Sequence, residues 1–161
     1  SEQEAKCQEH GRFAATGLKL SHNQLADLDG WSRVLPALMT KWDRLQWVDL
    51  SFNRLPVIPA ELLDLPLRVL YLQTNAITSL GEVAKLQAVS KTLKTLALHG
   101  NPVSRLKDYR CRCVYWIPSL RTLDFGSLTD SERATYQRVG KEIQDREDAK
   151  KPKVVVEERR F

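Results

Sequence analysis

A few side chains in this sequence are of types that enzymes use, and their spacing decides whether they can act together. Asp49 and Asp124 are candidates for a pair of catalytic carboxylates, and His22 and His99 are candidates for a shared metal. None of the four lies in a recognisable Ser-His-Asp or Cys-His motif, and the chain has no GxxxxGK[ST] phosphate loop. Catalysis therefore depends on whether the fold brings distant residues together.

The cysteines are Cys7, Cys111 and Cys113, an odd number. One Cys-x-Cys pair does not supply the second pair of ligands that a structural zinc site uses. We therefore predict reduced thiols, no metal and no cofactor.

Composition is typical of one folded domain, with 161 residues, 42% hydrophobic and 28% charged. No apolar run approaches the ~20 residues that cross a bilayer, and residues 1–10 are too polar for a signal peptide. We expect a cytoplasmic protein without a membrane segment.

The net charge of +5 is concentrated in residues 101–161, which hold 14 basic and 10 acidic side chains. This excess suits RNA or an acidic protein tail, or is a solvated surface without a specific partner.

A repeated frame organises most of the chain: apolar-x-x-Leu-x-Leu-x-x-Asn-x-apolar, the leucine-rich-repeat signature. Its asparagines are 30, 22 and 26 positions apart (23 to 53, 53 to 75, 75 to 101). A fifth copy, Leu120-x-x-Leu123-x-Phe125, lacks the asparagine, as expected of a terminal unit. The four complete copies are Leu18-x-Leu20-x-x-Asn23-x-Leu25, Leu45-x-x-Val48-x-Leu50-x-x-Asn53-x-Leu55, Leu67-x-x-Leu70-x-Leu72-x-x-Asn75-x-Ile77 and Leu93-x-x-Leu96-x-Leu98-x-x-Asn101-x-Val103.

Each frame predicts a short strand whose alternate apolar side chains point inward. The asparagine that follows ends the strand, and its amide can bond backbone groups of the turn. We therefore predict a structural ladder of Asn23, Asn53, Asn75 and Asn101. The return segments are predicted to be helical or irregular, with Val34, Leu35, Leu38 and Trp42 in the core. One further apolar residue after each frame, the last being Leu106, stays in phase with the repeat.

The predicted fold is therefore an α/β leucine-rich-repeat solenoid: a short curved horseshoe with a parallel concave sheet and a helical or irregular convex side. A C-terminal cap follows, and Thr129 with Glu132 has the spacing of a capping box at the start of a helix. We divide the chain into a polar flank (1–14), the repeat domain with its cap (15–128), a charged helix (129–149) and a charged tail (150–161).

The outward strand positions predict a binding face on the concave sheet. Trp47 and Tyr71 are its most informative members, because exposed aromatic residues are common among binding hot spots. The alternative is that Trp47 packs against Phe13 of the same chain. In this fold three repeats separate Asp49 from Asp124, which favours polar specificity contacts over acid–base catalysis. The predicted partner-binding residues are Trp47, Asp49, Phe52, Tyr71, Gln73, His99 and Asp124.

The tail offers a second candidate contact at Val154, Val155 and Val156, a β-prone run that can join a partner's sheet edge or pack back on the solenoid. The alternative is a solvated tail without a partner.

Together the frames and the cap resemble the short capped leucine-rich-repeat subfamily that includes a mitotic phosphatase regulator, the spliceosomal U2 A-prime protein and an axonemal dynein light chain. The segments 47–53, 69–72, 80–86 and 98–102, with Asp124-Phe125, resemble the leucine-rich-repeat-containing protein 51 family in particular. That resemblance implies a cytoplasmic or axonemal scaffold.

We therefore expect a non-enzymatic scaffold or adaptor that binds protein partners, as a structural subunit of a ciliary or flagellar axoneme associated with microtubules. The alternatives are a ribonucleoprotein subunit and a regulator of a protein phosphatase. Nucleic-acid binding is disfavoured because Lys19 is the one basic residue among the predicted concave positions.

Overall fold

The computed structural model describes residues 15–151, and within that range the repeats form one continuous sheet. Strands β1 to β5 are parallel neighbours in chain order, and β6 returns antiparallel to β5. The strands are β1 (Gly17–Lys19), β2 (Trp47–Asp49), β3 (Val69–Tyr71), β4 (Thr95–Ala97), β5 (Thr122–Leu123) and β6 (Gly126–Ser127). The predicted parallel sheet is confirmed, whereas β6 was not predicted.

The return segments contain short α and 3₁₀ helices on the convex side, and a longer helix follows the last strand. The α-helices are α1 (Trp31–Leu38), α2 (Leu80–Ala84), α3 (Tyr109–Trp116) and α4 (Asp130–Lys150). The 3₁₀ turns are Trp42–Arg44, Ala60–Leu62, Lys85–Val89 and Pro102–Arg105.

The core consists of the inward residues of the frame. Val48, Leu70 and Leu96, the central residues of β2, β3 and β4, have no exposed surface. Leu18, the matching residue of β1, is half-buried because the sheet starts there. Since each strand is only three residues long, its apolar side chains are buried mainly by neighbouring repeats.

The asparagine ladder forms where a complete turn precedes it. The Nδ2 group of Asn101 donates to the carbonyls of Leu72 and Leu98 at 2.8 Å, and its Oδ1 accepts from the Ile77 N–H at 3.0 Å. Asn75 and Asn53 make equivalent bonds one and two turns earlier, respectively. These bonds satisfy buried backbone groups of the turns.

The ladder prediction is wrong for Asn23. Its side chain is exposed and donates only to the Ser21 carbonyl of its own turn, at 3.2 Å. Asn23 lies in the first turn of the described residues, where no earlier turn offers a carbonyl. The ladder therefore runs from Asn53 to Asn101.

The residue before each asparagine has left-handed backbone. These four residues are His22 (φ 62°), Phe52 (54°), Thr74 (55°) and Gly100 (76°). This conformation is unfavourable for residues with a Cβ. At Gly100 an added Cβ would lie 2.8 Å from Thr74 Oγ1, so glycine is also required there by close packing.

One prediction about the convex side, the burial of Val34 and Leu38, is wrong. In α1, Trp31 and Leu35 face inward one helical turn apart, whereas Val34 and Leu38 lie on the adjacent strip and are 53% and 49% exposed. Leu106 is likewise exposed, because it follows the last 3₁₀ turn. Leu35 is buried and Trp42 packs against the core, as predicted.

The cap is formed by α3 and α4. Thr129 and Glu132 make the predicted reciprocal capping box, with Thr129 N–H donating to Glu132 Oε2 at 2.8 Å. Helix α4 crosses α3 at Gly140, where an added Cβ would lie 2.8 Å from Tyr115 Cγ. Cys111 and Cys113 of α3 are free thiols, as predicted, and Cys7 lies outside the described residues.

Asn101→Ala should lower the free energy of unfolding by about 4 kcal/mol, because the substitution removes three buried hydrogen bonds and leaves the Ile77 N–H without a partner. Asn23→Ala is the matched control and should cost no more than about 0.5 kcal/mol, since its amide is exposed. Urea unfolding of both variants measures the difference, and equal losses would show that the ladder does not stabilise the fold.

Candidate functional site

The concave sheet places the outward strand residues in rows that run across the strands. Trp47 is in register with Gly17 and Val69, and Asp49 with Lys19 and Tyr71. The next outward position holds Ser51, Gln73 and His99, and the rim beyond it holds His22 and Phe52. The fold therefore brings most of the predicted site residues onto one surface.

Trp47 and Tyr71 are in contact, as expected for outward residues on adjacent strands. Their ring centroids are 6.0 Å apart and the rings are nearly perpendicular, at 86°. Trp47 also leans toward β1, where the missing side chain of Gly17 leaves room for it: an added Cβ would lie 3.3 Å from Trp47 Cε3. Both rings are half-buried, so each keeps surface for a partner. The alternative contact of Trp47 with Phe13 involves a residue outside the described range.

Phe125 extends this pair and was missed as a site residue. The sequence frame predicts that it points inward, yet it is 59% exposed, with its ring 5.5 Å from Tyr71 and 5.4 Å from His99. Asp124 and Phe125 both have positive φ, 52° and 63°, because the chain reverses here into β6. This reversal ends the in-and-out alternation of the strand. We call Trp47, Tyr71, His99 and Phe125 the aromatic cluster.

Phe52, another predicted contact, lies at the rim and pairs with His22. The two rings are stacked, with centroids 4.3 Å apart and planes 9° apart. Both residues have the left-handed backbone that precedes each asparagine. Phe52 is 44% exposed, so it remains available to a partner beside the aromatic cluster.

The two predicted acidic contacts are both bonded within the chain. Asp124 Oδ1 accepts from the N–H groups of Leu98 and His99 at 2.8 and 2.9 Å, and its Oδ2 accepts from the Tyr109 hydroxyl at 3.0 Å. The Asp124 carboxylate thus accepts the Leu98 N–H, whereas the equivalent Leu72 N–H of the preceding repeat donates to the carbonyl of Ala97 in the next strand. Asp49 is buried, and its Oδ1 accepts from the N–H and hydroxyl of Ser51. A contact of either carboxylate with a partner stays a prediction.

Gln73 and His99 form the floor of the face with incomplete hydrogen bonding. The buried Oε1 of Gln73 and Nδ1 of His99 have no hydrogen-bond partner among the described residues. His99 Nδ1 lies 3.8 Å from Asp124 Oδ1, which is beyond hydrogen-bonding distance. A buried polar atom without a partner is costly, so these two atoms lower the stability of the face.

Behind Asp124, the cap buries two weakly acidic groups. Burial, followed by the neighbouring Cys113 and Asp124, raises the pKa of the Tyr109 hydroxyl far above its ordinary value. Burial also raises the pKa of the Cys113 thiol, with the charge of Asp124 adding to it. Both groups are therefore protonated and structural in the folded chain, and neither is a nucleophile at neutral pH.

The arrangement is suited to binding. Within residues 15–151, no group of three His, Cys, Asp or Glu side chains is placed to hold a metal ion. The helices in that range are too short or too polar to cross a membrane. The predicted tail contact, Val154 to Val156, lies outside the described residues.

Comparisons with known proteins agree with the repeat architecture. A family model described as leucine-rich repeat matches residues 12–152. Leucine-rich repeat-containing protein 51 of Rattus norvegicus is 39% identical over 133 residues, which cover 82% of this chain and 69% of the relative. The U2 small nuclear ribonucleoprotein A′ of Candida glabrata is 37% identical over 92 residues, covering 57% of this chain and 35% of that protein.

Among solved structures, the crystal structure of the Drosophila melanogaster SNF/U2A′ complex contains a similar chain. The TM-score is 0.60 at 20% identity, with 86% of this chain and 94% of that chain covered. This likeness shows a shared fold.

We expect the chain to lose stability in alkaline solution. The folded state holds the Tyr109 and Cys113 protons more tightly than the unfolded state, so stability is complete below their ordinary pKa values of 10.0 and 9.0 and falls as pH rises through them. Above pH 10 the slope from both groups approaches about 2.7 kcal/mol per pH unit. Urea unfolding between pH 7 and 11 measures this slope.

Tyr109→Phe is the matched variant, because it removes the titrating hydroxyl and keeps the ring. Its alkaline slope should be about half that of the parent, while loss of the bond to Asp124 costs about 1 to 2 kcal/mol at pH 7. An unchanged alkaline slope would show that Tyr109 does not contribute to it.

Proposed function

Because this chain belongs to the leucine-rich repeat family, as a member of the leucine-rich repeat-containing protein 51 group, it is a protein-interaction scaffold, and we propose that it is a structural subunit of a ciliary or flagellar axoneme. Its place would be the cytoplasm and the axoneme, bound to microtubule-associated proteins. The expectation that it is not an enzyme is part of this proposal.

One observation carries the binding role: the aromatic cluster lies on an open face of a rigid sheet. Phe125 is 59% exposed and contacts both Tyr71 and His99, which joins residues of β2, β3, the turn after β4 and the final turn into one surface. Large aromatic surfaces held by packing lose little entropy on binding.

The axonemal placement rests on the resemblance of the frames and cap to an axonemal dynein light chain. The ribonucleoprotein alternative is supported by the similarity to the U2 small nuclear ribonucleoprotein A′. Against it, Lys19 is the single cation among the outward strand positions that carry the aromatic residues, whereas RNA backbone binding needs several cations along one face. Regulation of a phosphatase has no supporting contact among the described residues.

Expression of the tagged full-length chain in ciliated cells tests the proposal. After salt extraction of the axonemes, we expect the chain to stay in the insoluble axoneme with microtubule-associated proteins. Recovery only in the soluble pool, with splicing factors or a phosphatase, would overturn the axonemal assignment.

Trp47→Ala combined with Tyr71→Ala should release the chain from this assembly and weaken partner binding at least about 100-fold, since each residue is placed as a hot spot. Val34→Ala with Leu38→Ala is the matched control, because it also removes exposed apolar groups but on the convex side, and it should bind normally. Circular dichroism checks that both variants are folded. Retained binding by the folded aromatic variant would exclude the concave face as the docking surface.

A further inference from the structure

A row of basic residues lies at the start of the strands whose outward residues carry the aromatic cluster. Arg68, Lys94 and Arg121 occupy the residue immediately before β3, β4 and β5. The backbone pairs them directly: Lys94 N–H donates to the Arg68 carbonyl and Arg121 N–H to the Lys94 carbonyl, each at 2.8 Å. We call these three residues the basic row.

The basic row is poorly neutralised within the chain. Arg121 has Asp130 at 3.5 Å, an exposed pair of small energetic value. Arg68 and Lys94 make no ion pair with any residue in the range 15–151. Like charges on directly opposite positions of neighbouring strands repel each other, so the row does not stabilise the fold.

The geometry of the row matches an acidic helix lying across the strands. Adjacent strands are about 4.8 Å apart, so the three cations recur at about that interval. In an α-helix, residues on one face recur every 3.6 positions, or about 5.4 Å. Alternate residues of an extended strand are about 6.7 Å apart, which is a poorer match.

The neighbouring row provides the apolar contact for such a helix. Trp47 is in register with Val69, which directly follows Arg68, and Tyr71 lies one outward position further along β3. A helix resting on Trp47, Tyr71 and Phe125 would therefore hold one edge over the basic row. A length of about 13 residues spans the five parallel strands.

We propose that the partner of the concave face is an amphipathic protein helix whose apolar stripe packs on the aromatic cluster and whose Asp and Glu side chains, spaced three or four residues apart, pair with Arg68, Lys94 and Arg121. This inference rests on the proposed binding role of the concave face. It adds the chemistry of the partner and its direction across the strands.

The arrangement favours a protein helix over single-stranded RNA. The rings of Trp47 and Tyr71 are nearly perpendicular and in contact with each other, so they form an apolar floor and not a series of parallel platforms for bases. The three cations of the basic row also lie together at the start of the strands, and the exposed ring of Phe125 adds apolar surface to the face. RNA is an outcome that the experiment distinguishes.

The probe is a displayed library of amphipathic helices about 18 residues long, with a fixed leucine stripe and Glu, Lys or Gln allowed beside it. Selection against the full chain at low salt should enrich Glu along one edge of the stripe, three or four positions apart. Binding of the enriched peptides should weaken with added salt, as expected for charge pairs at an interface rim. Absence of Glu enrichment would overturn the proposal.

Charge reversal localises the effect. Arg68→Glu, Lys94→Glu and Arg121→Glu together should weaken the enriched peptides about tenfold or more and select for Lys in place of Glu. The matched control is Arg33→Glu, Arg105→Glu and Lys107→Glu, which makes the same change of net charge with exposed residues outside the row and should leave affinity unchanged. Equal loss in both triple variants would mean that only net charge matters, which contradicts the proposal.

Failure of the proposed binding role and failure of the acidic-helix inference are distinguishable. If Trp47→Ala with Tyr71→Ala abolishes peptide binding and reversal of the basic row does not, the concave face binds partners but the acidic-helix inference is wrong. If the chain binds a uridine oligonucleotide more tightly than every enriched peptide, and reversal of the basic row abolishes that binding, RNA replaces the helix as the ligand.

Discussion

The amide of an inward asparagine is the interaction on which this structure depends. A three-residue strand cannot bury its own side chains, and the turn after it contains N–H and C=O groups that are shut away from water. Asn53, Asn75 and Asn101 each bond the turn before and their own turn, so consecutive repeats are held at the spacing of a parallel sheet. The left-handed residue before each asparagine is retained because these bonds outweigh its backbone strain.

The binding face is completed at the point where the repeats end. At the last repeat, the Asp124 carboxylate accepts the Leu98 N–H, whose equivalent in the preceding repeat donates to a strand carbonyl, and the Tyr109 hydroxyl of the cap donates to its second oxygen. The chain then reverses into β6, which turns Phe125 outward onto Tyr71 and His99. The same reversal thus closes the sheet and completes the aromatic cluster. At this end of the sheet, the turn that ends the fold also places a residue of the proposed binding face.

The frame position of a charged residue decides whether its charge is bonded within the chain. Asp49 and Asp124 are bonded within the chain, whereas Arg68 and Lys94 stand in register without partners among the described residues. In a stack of repeats, any residue type that recurs at one frame position becomes a linear row, since the strands are in register. A row of one charge is a cost to folding and a means of orienting a partner of opposite charge.

The sequence by itself determined the repeat fold, the parallel order of strands, the aromatic pair Trp47 and Tyr71 and the capping box at Thr129, because each follows from residue spacing along a regular element. It did not determine the exposure of Val34 and Leu38, the exposed side chain of Asn23 or the outward turn of Phe125. These depend on which neighbour covers a residue and on where regular alternation stops. These features depend on contacts between repeats. Because the local spacing of residues carries no information about such contacts, only the tertiary structure decided them.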